Sequence, residues 1–174
     1  MTDSEDAYSE TLDSEVREIR GALLDDTLAV LALPEPVSVR DTVTVQEAVN
    51  AMIGRHQAGV LVVDGDGRLI GIFTERDVLL RVVGKGLDAT RTPVGHVMSP
   101  EPQALHLRDR VAHTLHSMAV AGYRTVPIID EAGRPVGVVT ASDVIRWLAG
   151  LFPEAVLNLR PGDIIKHPEQ IDAG

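Results

Sequence analysis

Apolar and polar residues follow two periods along this chain, and the same succession of periods occurs twice. Val45, Ala48, Val49, Met52 and Ile53 fall at i, i+3, i+4, i+7 and i+8, one face of an amphipathic helix. Thr44 and Glu47 supply the Ser/Thr-x-x-Glu pattern that caps a helix start by reciprocal bonds. An apolar strand over 60–63 comes next. Asp64-Gly65-Asp66-Gly67 then carries turn chemistry, and a second strand runs over 69–73. A helix after it is predicted to bury Val78, Leu79, Val82 and Val83.

The second succession places Val111, Leu115, Met118 and Ala119 on a helix face, with strands over 126–129 and 135–139 about the turn Asp130-Glu131-Ala132-Gly133. Val144, Ile145 and Leu148 are its buried final-helix positions. Sliding the chain so that Pro36 lies on Pro102 aligns the two successions without a gap, and roughly a quarter of positions are identical. Val45/Val111, Met52/Met118, Asp64/Asp130, Gly67/Gly133, Gly71/Gly137, Thr74/Thr140 and Asp77/Asp143 are among the identities. Chance gives far fewer, so the chain contains a duplicated unit. If 36–39 and 104–107 are short first strands, each unit reads β-α-β-β-α. The expected fold is α/β (α+β), two pseudo-symmetric units packed through their sheets, since a single unit this small makes only a marginal core.

The expected organisation is an acidic disordered start and an amphipathic N-terminal helix over 1–33, repeat 1 over 34–84 and a linker over 85–98. Repeat 2 over 99–151 and an extension over 152–174 complete it. Leu12, Val16, Ile19, Leu23, Thr27 and Leu31 carry the helical spacing of the first segment. Aromatic residues make up only 3% of the chain, so aliphatic side chains must build the cores.

Charge and composition exclude several classes of function. The net charge is -10, and residues 1–18 carry seven acids against the single base Arg17. With no basic stripe to neutralise phosphates, a nucleic acid is not an expected direct ligand. No apolar run approaches the ~20 residues of a membrane span. The absence of cysteine excludes disulfides and thiol chemistry and favours a cytoplasmic location. His106, His113 and His116 have no metal-site spacing, and no nucleophile elbow is present, so neither a metal site nor an enzyme is expected.

The candidate chemistry lies in Gly71-Ile72-Phe73-Thr74-Glu75-Arg76-Asp77 and its copy Gly137-Val138-Val139-Thr140-Ala141-Ser142-Asp143. Each leaves a strand and opens a helix. A threonine there with Asp three residues on can be a capping box and nothing more. A helix start also presents N–H donors to an anion, a hydroxyl can join them, and a carboxylate can accept from ribose hydroxyls. Glycine in the preceding strand permits close approach of a ligand.

With Arg124-Thr125-Val126-Pro127-Ile128-Ile129-Asp130 and Val94-Gly95-His96-Val97-Met98, these motifs resemble a tandem CBS-domain pair, a Bateman module, over about 34–150. The resemblance implies a regulatory, ligand-sensing module that binds AMP, ADP or ATP in clefts between the repeats, with S-adenosylmethionine as a further candidate and no required cofactor. It places Thr74 and Thr140 on phosphate, Asp77 and Asp143 on ribose, and the strand edges at Val60, Val126 and Pro127 beside adenine. Arg76 and Arg124 would neutralise a polyphosphate; as solvated surface charges they would do nothing. A homodimer shaped as a flat disc, with helices of opposite subunits in contact, and an unidentified regulated protein partner are implied as well. The competing expectation is a ligand-independent interaction module whose Thr-x-x-Asp turns only cap helices.

Overall fold

In the computed structural model of the protein, residues 17, 21–22 and 24–151 are described. The expected disordered start, most of the first helical stripe (Leu12, Val16, Ile19 and Leu23) and the extension from Phe152 onward lie outside them. Strand β1 (Ser38–Arg40), helix α1 (Val45–Gly54) and the hairpin β2 (Gly59–Val63) and β3 (Leu69–Thr74) open the first repeat. A composite helix follows. It starts as one α turn, α2 (Glu75–Asp77), passes through a π turn (Val78–Val82) and ends in a 3-10 turn (Val83–Lys85). The second repeat has helix α3 (Val111–Ala121), the hairpin β5 (Thr125–Ile129) and β6 (Pro135–Thr140), and helix α4 (Ala141–Gly150).

The local signals act as their chemistry requires. Glu47 accepts from the Thr44 N–H at 2.8 Å while its own N–H donates to Thr44 Oγ1 at 3.2 Å. The Thr44 backbone bond, then the side-chain bond, holds the Glu47 carboxyl below its ordinary value. In the hairpin turns Asp64 Oδ1 accepts from the N–H groups of Asp66 and Arg68, both at 2.9 Å. Asp130 Oδ1 does the same for Ala132 and Arg134, at 2.9 and 2.8 Å. Each turn closes on a glycine at positive φ, Gly67 at 80° and Gly133 at 78°, a conformation that costs other residues.

Sheet order in the first repeat is β1-β2-β3-β4, where β4 is Ser99–Pro100. β1 runs parallel to β2 and the other pairs are antiparallel. In the second repeat the first strand shrinks to a single parallel bridge, Leu105 to Ile128, beside β5 and β6. The two hairpins meet where the Leu69 N–H donates to the Gly133 carbonyl at 2.9 Å. The pseudo-symmetric bond cannot form, because Pro135 stands where Leu69 does and has no N–H.

Each core is completed by the chain segment that precedes the other repeat. Val94 and Val97, expected in a linker, are buried in the first core with Val45, Val60, Val62 and Phe73. Leu28 and Leu31, upstream of the first repeat, are buried in the second core with Val111, Val126, Ile128 and Val139. The backbone follows the same exchange. Val94 N–H donates to Val43 O at 2.8 Å and Val45 N–H to Thr92 O at 2.9 Å. Leu28 N–H donates to Asp109 O at 2.8 Å and Val111 N–H to Asp26 O at 3.0 Å, the same bonds displaced by the repeat length. Leu24 and Asp25 are helical, but the helix does not continue to Leu31. Thr27 bridges Arg110 and Leu28–Val30 forms a 3-10 turn, because two buried leucines here serve the distant core.

Several apolar positions expected inside face outward instead. Leu79, Val83, Ile53 and Ile145 are exposed. The helices carry apolar stripes wider than their own sheets can cover. In α3 the buried set is Val111, Thr114 and Ser117, with Leu115 and Met118 half-buried and Ala119 exposed.

Candidate functional site

Both Thr-x-x-Asp turns form at a strand-to-helix junction, and the two begin alike. Asp77 Oδ2 accepts from the Thr74 N–H at 2.9 Å and from its hydroxyl at 2.7 Å. Asp143 Oδ2 accepts from the Thr140 N–H at 2.8 Å and its hydroxyl at 2.6 Å. One carboxylate oxygen therefore caps the helix, and Oδ1 is left for another donor.

The surroundings of Oδ1 differ. In repeat 1 it lies 3.3 Å from Arg81 Nε and accepts from Ser99 Oγ at 3.3 Å. Arg81 Nη1 also donates to the carbonyls of Val97 (3.2 Å) and Met98, so this carboxylate is tied to the crossing segment. In repeat 2 Oδ1 meets Arg146 Nη1 at 3.1 Å, and that arginine side chain is 75% exposed. The crossing segment there has Ala32 and Leu33 where repeat 1 has Met98 and Ser99.

The glycines before the turns lie under these crossings. A Cβ on Gly71 would sit 2.2 Å from the Met98 sulfur, and one on Gly137 would sit 3.2 Å from Leu33 Cδ1. A cavity of about 150 Å³ opens in repeat 2, lined by Val30, Leu31, Ala32, Asp143, Arg146 and Trp147. A larger one, about 440 Å³, lies between Asp41, Thr42, Pro93, Gly95, His96 and Met98 and includes neither threonine nor aspartate of the turns.

Thr74 and Thr140 are half-buried, Asp77 is buried and Asp143 half-buried, each pair held together within its own repeat. Val60 and Val126 are fully buried members of the two cores, and Pro127 is buried as well. The side chain of Pro127 lies on the opposite strand face from Val126 and Ile128. Arg76 and Arg124 are exposed, and among the described residues neither has an ion-pair partner. The Arg124 carbonyl accepts from the Ala141 N–H at 3.1 Å, which sets its backbone at the start of α4. Arg81, Ser99, Arg146 and Trp147 were not among the sequence candidates. Only the i, i+4 spacing of Asp77 and Arg81 and the i, i+3 spacing of Asp143 and Arg146 pointed to the two arginines.

An intertwined pair of α/β units with one Thr-x-x-Asp junction in each defines the class. The chain belongs to the CBS domain family, whose model matches residues 29–84 and 94–150. Over 106 residues it is 36% identical to the meiotically up-regulated gene 70 protein of Schizosaccharomyces pombe, a match covering 61% of this chain and 14% of that protein. The chain thus spans a small part of that relative. A CBS domain protein from Pyrobaculum aerophilum, complexed with AMP, superposes with a TM-score of 0.64 at 24% identity, covering 75% of this chain and 95% of that one. A CBS domain pair in complex with 5'-methylthioadenosine and S-adenosyl-L-methionine gives 0.63 at 24% identity, covering 71% and 95%. Among the described residues no helix is long and apolar enough to cross a membrane.

Proposed function

We propose that this chain is a regulatory module that binds an adenosine-containing nucleotide, AMP, ADP or ATP, at its Thr-x-x-Asp clefts and signals to a partner protein. The observation that carries this reading is the placement of each junction against the segment that enters from before the other repeat. A ligand beside the Asp143 carboxylate would meet both the repeat-2 junction and the segment that leads into repeat 1. It therefore biases their relative packing whenever its affinity differs between two arrangements. The AMP and S-adenosyl-L-methionine complexes of the similar structures support the ligand class.

The expected result is a nucleotide-dependent thermal shift. A ligand at about 100 times its dissociation constant stabilises the folded state by roughly 2.7 kcal/mol, or about 5–10 °C for a chain of this size. The Asp77→Ala/Asp143→Ala double variant loses the shift. Both turns also form capping boxes, which favours the second reading of a ligand-independent interaction module. No shift with AMP, ADP, ATP or S-adenosylmethionine would decide for that reading.

A homodimer accounts for the outward apolar helix faces. Ile53, Leu79 and Val83 from repeat 1 and Val120 and Ile145 from repeat 2 are each more than 60% exposed, on helical segments of both repeats. Dimerisation through them buries side chains that the fold leaves wet. Light scattering at micromolar concentration is expected to give a dimer, and Leu79→Glu/Ile145→Glu a monomer. A monomeric unmodified chain rules the arrangement out.

A further inference from the structure

We propose that the two clefts are not equivalent: the repeat-2 cleft takes one nucleotide per chain, and the repeat-1 cleft is held shut by Arg81. This rests on the nucleotide reading above and adds to it which cleft works and what disables the other.

In repeat 1 both oxygens of the junction carboxylate already have internal partners. Asp77 is 7% exposed, and the oxygen that does not cap the helix is shared by Arg81 and Ser99. Arg81 reaches it from the π turn and in the same pose binds the carbonyls of Val97 and Met98. A ribose diol would have to displace a guanidinium that makes charge-assisted bonds on both sides of the cleft, at a cost that the ligand's own bonds would have to repay. The flexible Met98 side chain lies over Gly71, and it can move once Arg81 releases the Met98 carbonyl.

Repeat 2 carries different residues at the positions of Arg81, Met98 and Ser99. Trp147 stands where Arg81 does, Leu33 where Ser99 does and Ala32 where Met98 does. Neither Ala32 nor Leu33 has a side chain that can hydrogen-bond Asp143, and the smaller Ala32 leaves the cavity of about 150 Å³ beside it. Among the described residues the single cation lining it is Arg146, tethered to Asp143 and 75% exposed. That volume is below the ~300 Å³ of small-molecule sites. Entry therefore takes Arg146 outward, freeing Asp143 Oδ1 for a sugar hydroxyl and the guanidinium for a phosphate. Trp147 forms an apolar wall.

The test is calorimetric titration of the full chain with AMP and with adenosine, followed in parallel by fluorescence of Trp147, the sole tryptophan. One AMP per chain is expected, with the fluorescence changing along the same isotherm. Arg146→Ala, a change at an exposed side chain that leaves the core intact, is expected to weaken AMP by about tenfold or more while adenosine binds no more weakly than before, because Asp143 Oδ1 is then already free for the ribose. Arg81→Ala is expected to admit a second AMP. Two AMP per chain in the unmodified protein, binding without a Trp147 response, or a stoichiometry still at one in Arg81→Ala would each overturn the proposal. Absence of any binding to the unmodified protein overturns the nucleotide reading itself.

Discussion

Leu28→Ala is expected to destabilise the protein by about 2–5 kcal/mol, although residue 28 precedes both repeats as the sequence marks them. Leu28 is fully buried in the second core, and its backbone N–H is bonded to Asp109. Truncation leaves a cavity among Val111, Val126, Ile128 and Val139, on strands and a helix that cannot close over it. Trp147 packs against the same cluster, so its fluorescence reports the loss directly. A fall in melting temperature of roughly 4–20 °C is expected. Val30, two residues on and 52% exposed, is the control, since Val30→Ala should stay within about 0.5 kcal/mol of the unmodified protein. Equal melting of the Leu28 variant and this control would show that the segment is not part of the core.

Phe73→Ala is expected to cost more, about 3–5 kcal/mol. Phe73 is the largest fully buried side chain, at 0% exposure, and its cluster is otherwise built of valines, Ala48 and Met52. Among the described residues no second aromatic side chain belongs to this cluster. Met52 is the one long flexible side chain in the buried set that can partly refill it. Urea denaturation measures the change as a lower midpoint at constant slope. A loss below about 1 kcal/mol would mean that this core collapses freely around the missing ring.

The duplicated unit, both hairpins and both Thr-x-x-Asp junctions were legible because each depends on residues within a few positions of one another. Asp64 and Gly67 make their turn wherever the rest of the chain goes, as do Thr44 and Glu47 their cap. The exchange between repeats was not legible from local pattern. The spacing of Leu23, Thr27 and Leu31 suits a helix, and nothing near them shows that Leu28 and Leu31 are needed in a core built far downstream around Val111 and Val126. The repeat did hold a sign of it. The displacement that sets Thr74 on Thr140 also sets Leu28 on Val94 and Leu31 on Val97, upstream of where the identities begin. Apolar periodicity likewise marked Leu79 and Val83 without saying what covers them. Arg81 was not singled out, because a π turn has no sequence signature and the carbonyls it binds are 16 and 17 residues away.

The exchange of segments also bears on how such a chain can have arisen and what it can lose. A lone ancestral unit would have left an open groove where its neighbour's strap now lies, and a second molecule of the same kind would have filled it. Duplication in tandem would turn that association into a covalent one, a swapped dimer written as one polypeptide. Deleting either copy now strips two aliphatic residues from the survivor's interior, so the pair can drift in sequence but can no longer be divided.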